Sequence, residues 1–169
     1  MKYGTLCYIY HDNKVLMVKK LERENDPNSG FYVLPGGKLE ESEKGFSLNG
    51  RLESITREFS DETGLTIRNP RLRGVILFDN FERTFDNWKN SQDFFVYVFS
   101  AEEFSGELRS SDEGEPLWIN EQDIENLPRN QGDVKIYEWL KDGRYFAGVI
   151  KHKGKELDSE GTFVDYINS

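Results

Sequence analysis

The sequence predicts a mixed α/β (α+β) fold in which helices cover a mixed sheet. Short β-rich segments separated by turn residues fill the first forty positions and recur after residue 72, which indicates several strands. Between them, Leu52, Ile55 and Phe59 have the three- and four-residue spacing of a buried helix face. A length of 169 residues suits one domain, and no repeat or linker divides the chain, so we expect one domain over residues 1–169.

The elements are predicted in order from hydrophobic runs and the turn residues between them. Strands are predicted over 5–10, 15–18, 31–34, 72–78, 94–100 and 117–119, helices over 48–63 and 134–141, and a closing hairpin from 145–150 and 162–167. Pro35, Gly36 and Gly37 end the third strand, since proline and glycine favour turns. Gly64 and Gly143 are predicted to end the two helices, because glycine readily adopts the left-handed conformation found there.

Charge and cysteine content exclude several classes of protein. Acidic residues number 31 against 22 basic ones, and a net charge of −9 opposes binding to a nucleic acid polymer. A small phosphorylated ligand remains compatible, since a bound divalent cation reverses the field of a carboxylate cluster. The lone Cys7 cannot form an internal disulfide, and the sequence shows neither a membrane-spanning apolar run nor a signal peptide. The expected location is the cytoplasm, with no membrane partner.

Three carboxylates lie close together on the first predicted helix. Glu58, Asp61 and Glu62 fall within about a third of a turn of its surface at ~100° per residue. Like charges at this spacing repel, so the group is either a solvated acidic face or a set of oxygen ligands for a hard cation. Spacing alone favours the solvated face.

The neighbouring residues change this interpretation. The run GGKLE, beginning at Gly36, and the later run REFSDETGL together resemble the Nudix box of the MutT-type pyrophosphohydrolases. The second half of that box is filled by Arg57, Glu58, Phe59, Asp61, Glu62, Gly64 and Leu65, with Asp61 in place of a glutamate. This resemblance implies a Nudix-type α/β/α sandwich with a mixed central sheet. Weaker likenesses to the oxidised-purine nucleoside triphosphatases of the family extend over nearly the whole chain.

The first half of the box departs from the family pattern. The segment from Gly37 to Leu65 is longer than the family's block by about six residues. Counting forward from Gly37 puts the box glutamate at Glu43, whereas counting back from Arg57 puts Asn49 there. Glu53 is a third candidate, and a solvent-facing position on the helix is the simpler interpretation for it.

The resemblance implies a role for each matched residue of the box. Metal ligands would be Glu58, Asp61, Glu62 and Glu113, with Mg²⁺ as the cofactor and Mn²⁺ as a substitute. Arg57 would orient Glu58, and Glu113 would be a ligand or the general base. Without the family, Glu113 is interpreted as an exposed loop acid beside Asp112.

Substrate contacts are also inferred from the resemblance. The residues concerned are Thr5, Lys19, Phe31, Gly37, Lys38 and Asp133. Three of them have a structural alternative: Phe31 as a core residue, Asp133 as a helix N-cap and Lys38 as a solvated turn residue. The aromatic and acidic segment 78–88 is either part of the core or a rim over the pocket.

The leading functional hypothesis is Mg²⁺-dependent hydrolysis of a nucleoside triphosphate to a monophosphate and pyrophosphate. The resemblance points to an oxidised purine such as 8-oxo-dGTP as substrate. One alternative is hydrolysis of a nucleoside diphosphate conjugate such as ADP-ribose, and another is a Nudix module that binds a nucleotide without cleaving it. The expected partner is a small nucleotide, and the protein is either a monomer or a homodimer.

Overall fold

The structure is a computed structural model that describes residues 1–26, 28–40, 48–82, 93–153 and 156–168. The strands are β1 (Lys2–Tyr8), β2 (Tyr10–His11), β3 (Lys14–Lys20), β4 (Tyr32–Val33), β5 (Gly36–Lys38), β6 (Leu65–Arg68), β7 (Arg71–Glu82), β8 (Phe94–Ser100), β9 (Glu103–Gly106), β10 (Gly114–Asn120), β11 (Tyr145–Lys153), β12 (Glu156–Leu157) and β13 (Phe163–Ile167). The helices are α1 (Leu48–Thr63), a short 3-10 helix (Glu121–Asn126) and α2 (Gln131–Asp142). Within these ranges, no helix is long and apolar enough to cross a membrane.

Over the described residues, the central sheet has seven strands and is mixed, as predicted. Its order is β12-β11-β7-β8-β1-β5, with β13 also paired to β11. The β1–β8 and β7–β11 pairs are parallel, whereas β7–β8, β1–β5 and β11–β13 are antiparallel. A second sheet, in the order β10-β3-β2 with β4 beside β3, carries the other half of the site described below.

The described residues form two hydrophobic clusters, one packed against α1 and the other against α2. On the α1 side, Ile55 and Phe59 are fully buried with Leu16 of β3 and Phe99 of β8. On the α2 side, the helix contributes Ile136, Trp139 and Leu140, which pack with strand residues that include Val15, Met17, Ile76 and Phe146. Helices therefore pack on both sides of the strands, which confirms the predicted fold class.

Both helix ends and most strands agree with the sequence prediction. Gly64 and Gly143 follow the two helices with φ of 80° and 87°, in the left-handed region that L side chains rarely adopt. The second helix begins at Gln131, three residues before the apolar pattern, because its first turn faces solvent in part. The short strands β5, β6 and β9 were missed, since two of them contain glycine and each is four residues or fewer.

The aromatic segment 78–88 is described only in its first part. Residues 78–82 continue β7, and Phe78 packs against the α2-side cluster, in agreement with the core alternative. Residues 83–88 lie outside the described residues.

Candidate active site

Of the three clustered carboxylates on helix α1, two face inward. Glu58 and Glu62 lie one turn apart, and their side chains are 18% and 6% exposed, whereas the Asp61 side chain is 68% exposed. The apolar stripe of the helix explains this difference, because Ile55 and Phe59 orient the adjoining Glu58 and Glu62 toward the strands. A solvated acidic face therefore describes Asp61 and is wrong for Glu62.

Glu62 is held by groups from two strands. One carboxylate oxygen lies 3.6 Å from Lys20 Nζ, and the other accepts a hydrogen bond from the Gly36 N–H at 3.4 Å. Burial raises the pKa of Glu62 to about 7; nearby Glu58 and Glu113 also raise it, and Lys20 and the Gly36 N–H oppose the increase. Glu62 is thus held against β3 by Lys20 and against β5 by the Gly36 N–H.

Lys20 joins Glu62 to Glu113. Its ammonium is 3.3 Å from Glu113 Oε2, and its side chain is only 12% exposed against 53% for Glu113. The Leu21 N–H donates to the Glu113 carbonyl at 3.2 Å, which brings the segment before β10 next to the end of β3. Glu113 is thus an exposed loop acid beside Asp112, as the alternative states, and it is also ion-paired with Lys20.

Arg57 makes a second cationic centre on the outer side of α1. Its Nη1 lies 2.6 Å from Glu58 Oε1, 3.4 Å from Glu40 Oε1 and 3.9 Å from Asp61 Oδ2. The contact expected between Arg57 and Glu58 is therefore present. Glu40, on the segment after β5, was not expected from the sequence.

Gly37 is the point at which β5 comes closest to α1. A Cβ atom built on Gly37 would lie 2.5 Å from the Glu58 Cδ, so any side chain here would displace the carboxylate. Lys38, the next residue, has an exposed side chain at the end of β5. The structure thus brings Gly37 into the carboxylate group and leaves Lys38 at its margin.

The predicted purine contacts lie on two sides of the strands. Thr5 is buried and aligned between Gly37 and Tyr97, on the α1 side. Lys19 lies on the same side of β3 as Val15 and Met17 of the α2-side cluster, and its Nζ lies 5.9 Å from the centre of the Tyr32 ring. The structure therefore separates Thr5 from Lys19.

Asp133 lies in the first turn of α2, whose N-cap is Asn130, so its interpretation as the N-cap is wrong. Burial raises the pKa of Asp133 to about 6, and Arg129 opposes this shift. Phe31 is half-buried and packs with neither hydrophobic cluster among the described residues, which does not favour the core alternative. Its carbonyl accepts the Lys20 N–H at 2.9 Å.

Sequence reasoning missed Lys20. Residues 15–18 of β3 are all buried, so the strand shows no alternation from which to assign a side to the lysine pair that follows. The register settles it: Lys20 lies opposite Gly114, next to Glu113. The sequence shows two consecutive lysines at the end of this strand, and it does not distinguish which of them faces the carboxylates.

The donors in the site suit a hard divalent cation. Glu58, Glu62, Asp61 and Glu113 present carboxylate oxygens, which Mg²⁺ prefers to nitrogen or sulfur ligands. Among the described residues, no three acidic, histidine or cysteine side chains are already grouped at metal-binding spacing. Lys20 and Arg57 lie among the carboxylates.

Of the three candidates for the box glutamate, the two that the structure describes are not brought into this group. Glu43 lies outside the described residues, Asn49 is exposed in the first turn of α1, and Glu53 is exposed on the same helix.

Comparison with known proteins places the chain in a family. The NUDIX domain matches residues 2–140. The uncharacterized Nudix hydrolase YvcI of Bacillus subtilis is 32% identical over 143 residues, which are 83% of this chain and 79% of YvcI. An ADP-ribose pyrophosphatase of Methanocaldococcus jannaschii is 31% identical over 80% of this chain and 72% of its own length.

A solved structure extends the similarity to the whole chain. The mutator MutT protein from Bacillus halodurans superimposes with a TM-score of 0.77 and 30% identity, and the match covers 98% of each chain. The chain therefore belongs to the Nudix family of hydrolases, with a MutT-like fold. The superposition includes the strands after residue 140, which the domain match leaves out.

Proposed function

We propose that this Nudix hydrolase is an Mg²⁺-dependent nucleoside triphosphate pyrophosphohydrolase that favours an oxidised purine such as 8-oxo-dGTP. The observation that carries the proposal is the buried Glu62, which shares one ammonium with Glu113 and lies one turn from Glu58. A structural role alone does not account for the acids around buried Glu62, because placing like charges close together away from water costs free energy. A relative from Danio rerio that is named an oxidized purine nucleoside triphosphate hydrolase is 28% identical over 108 residues, and this similarity supports a triphosphate substrate.

In this proposal, the carboxylates bind the cation and Arg57 positions one of them. Glu58, Glu62, Glu113 and the more exposed Asp61 would hold the cation, and Arg57 would keep the Glu58 carboxylate in place through its 2.6 Å contact. Bound Mg²⁺ supplies charge neutralisation on the phosphates and lowers the pKa of water. One water is consumed as a phosphoanhydride bond breaks, and the products are a nucleoside monophosphate and pyrophosphate.

A substrate panel tests the reaction. Release of pyrophosphate and phosphate is measured from canonical and oxidised nucleoside triphosphates and from nucleoside diphosphate conjugates, with and without Mg²⁺. We expect metal-dependent release of pyrophosphate, greatest from 8-oxo-dGTP. Turnover of another nucleotide would contradict the proposed substrate but would remain consistent with the assigned site residues. Binding without turnover at any Mg²⁺ concentration would favour the non-catalytic module.

ADP-ribose is the second candidate substrate. The M. jannaschii relative is named an ADP-ribose pyrophosphatase and is as similar in sequence as the Bacillus subtilis relative described above. Both substrates contain a phosphoanhydride bond, so the same carboxylates would serve either one. In the panel, ADP-ribose would release AMP and ribose phosphate without pyrophosphate, which distinguishes the two.

Glu62→Gln tests the site itself. We expect kcat to fall by about 100-fold or more, because the amide keeps the shape of the side chain and loses the charge that a cation needs. Glu103→Gln, on exposed β9, is the matched control and should keep wild-type activity. Circular dichroism confirms that both variants fold. Unchanged turnover in Glu62→Gln would overturn the assignment.

A further inference from the structure

We propose that Lys20 is the counter-ion of the metal-free site: its ammonium holds Glu62 and Glu113 together until a divalent cation binds, and then turns to a phosphate oxygen of the substrate. This inference rests on the metal-dependent function proposed above. It assigns Lys20 two partners in succession, carboxylate and then phosphate.

The first step of the argument is the position of the ammonium. Lys20 Nζ lies 3.6 Å from Glu62 Oε1 and 3.3 Å from Glu113 Oε2, so it occupies the space between the two carboxylates. The Lys20 and Glu62 side chains are both nearly buried. A buried charge needs a partner, because removal from water costs several kcal/mol per ion. Lys20 provides that partner to Glu62.

The second step is the rigidity of the backbone around Lys20. The Lys20 N–H donates to the Phe31 carbonyl at 2.9 Å, and the Leu21 N–H donates to the Glu113 carbonyl. The Lys20 Cα is also in register with Gly114 of β10. The Cα atom is thereby fixed from both sides of the strand. Movement of the ammonium is left to the four-carbon side chain, which is flexible in lysine.

The third step is a conflict between two cations for the same oxygens. When both are ionised, Glu62 and Glu113 carry two negative charges, which one ammonium partly neutralises. A divalent cation bound by both carboxylates would bring a second positive centre against the ammonium, and their repulsion at a few ångströms is strong in a largely buried site. The phosphates of a nucleotide offer the nearest new anionic partner, so a shift of the ammonium to phosphate keeps every charge paired.

Lys19 gives the contrast that makes the assignment specific. It is adjacent in sequence, but it is exposed and lies near Tyr32 on the α2 side. The role belongs to Lys20 because strand alternation puts its side chain on the side of α1.

Direct metal binding tests the first half of the inference. Mg²⁺ is titrated by calorimetry into chelator-treated wild type, Lys20→Met and Lys14→Met, without nucleotide. Lys14 is the control, as an exposed lysine of the same strand. We expect Lys20→Met to bind Mg²⁺ about fivefold or more tightly than wild type, because the competing ammonium is gone. Lys14→Met should match wild type, and Lys20→Arg, which keeps the charge, should stay near wild type.

Kinetics at saturating Mg²⁺ test the second half. Lys20→Met should lower kcat/KM for the nucleotide by about tenfold or more even though it binds the metal more tightly, because the phosphate contact is lost. A merely structural lysine would weaken both properties together. Circular dichroism checks the fold, and Lys20→Gln replaces Lys20→Met if the latter does not fold.

The outcomes separate this inference from the proposed function. Equal Mg²⁺ affinity in Lys20→Met and wild type would overturn the inference even if wild type hydrolyses nucleotides. Tighter binding in Lys20→Met with no hydrolysis by wild type would support the counter-ion and overturn the proposed function. A wild type that binds no Mg²⁺ would overturn both.

Discussion

Glu62 is a carboxylate that the fold buries almost completely, and its protonation is therefore coupled to folding. The pKa rises from 4.5 to about 7, chiefly by burial. A group whose pKa is raised by folding stabilises the protein fully below its unfolded value, and that contribution is lost as the pH rises through the folded value. For Glu62 the relevant range is pH 4.5 to 7.

This shift predicts a pH dependence of stability. Between pH 4.5 and 7, without metal, we expect Glu62 to lower the free energy of unfolding by up to about 3 kcal/mol. Glu62→Gln does not titrate and should show a flatter profile over this range. Urea unfolding in chelator at several pH values measures the difference. Parallel profiles in the two proteins would contradict the assigned pKa.

Mg²⁺ binding should show the opposite trend with pH. The cation needs the ionised carboxylate, so the apparent Mg²⁺ affinity of wild type should rise as the pH passes through 7. Calorimetric titrations at pH 6 and pH 8 check this expectation.

At the scale of elements, the site depends on the close approach of β5 to α1. The apolar spacing of α1 was sufficient to predict the helix and its bounds, because Ile55 and Phe59 need a buried side. The position of β5 was not predictable, since its pairing partner β1 is about thirty residues away in sequence. The approach makes glycine necessary at position 37.

Gly37→Ala tests this packing. The new Cβ would overlap the Glu58 carboxylate, which lies at the end of a flexible side chain and is able to move. We therefore expect turnover to fall by about tenfold or more, with a change of only a few degrees in Tm. Assays of the purified variant beside a thermal melt measure both quantities. Full activity would show that Glu58 does not need its present position.

At the scale of the whole molecule, the C-terminal strands continue the central sheet. The NUDIX domain match ends at residue 140, yet β11 pairs with β7 in parallel and is followed by β13. Gly148 of β11 lies against the Trp139 ring of α2. These contacts join the region after residue 140 to the strands and helix of the matched part.

Gly148→Ala tests whether the chain unfolds as one unit. An added Cβ would lie 2.8 Å from Trp139 Cη2 within a packed strand, and overpacking of this kind costs about 1–3 kcal/mol. We expect Tm to fall and the tryptophan fluorescence and circular dichroism transitions to remain coincident. Separate transitions would contradict the expectation of one domain.

Sequence patterns were sufficient to predict α1, α2, most strands and the fold class, and they grouped three acids on one surface of α1. These features rest on local spacing: the apolar period of α1, glycine at the helix ends, and Glu58, Asp61 and Glu62 within one turn. The spacing of residues within one helix or turn can be read directly from the sequence, so these features are predictable without knowledge of the fold.

The meeting of charged side chains depends on the pairing of strands that are distant in sequence. Lys20 and Glu113 are 93 residues apart and are brought together by the register of β3 with β10. The separation of Thr5 from Lys19, and the burial of Glu62 beside exposed Asp61, follow from strand pairing and helix packing in the same way. Long-range contacts depend on how the strands pair, and the composition of one strand does not specify its partner.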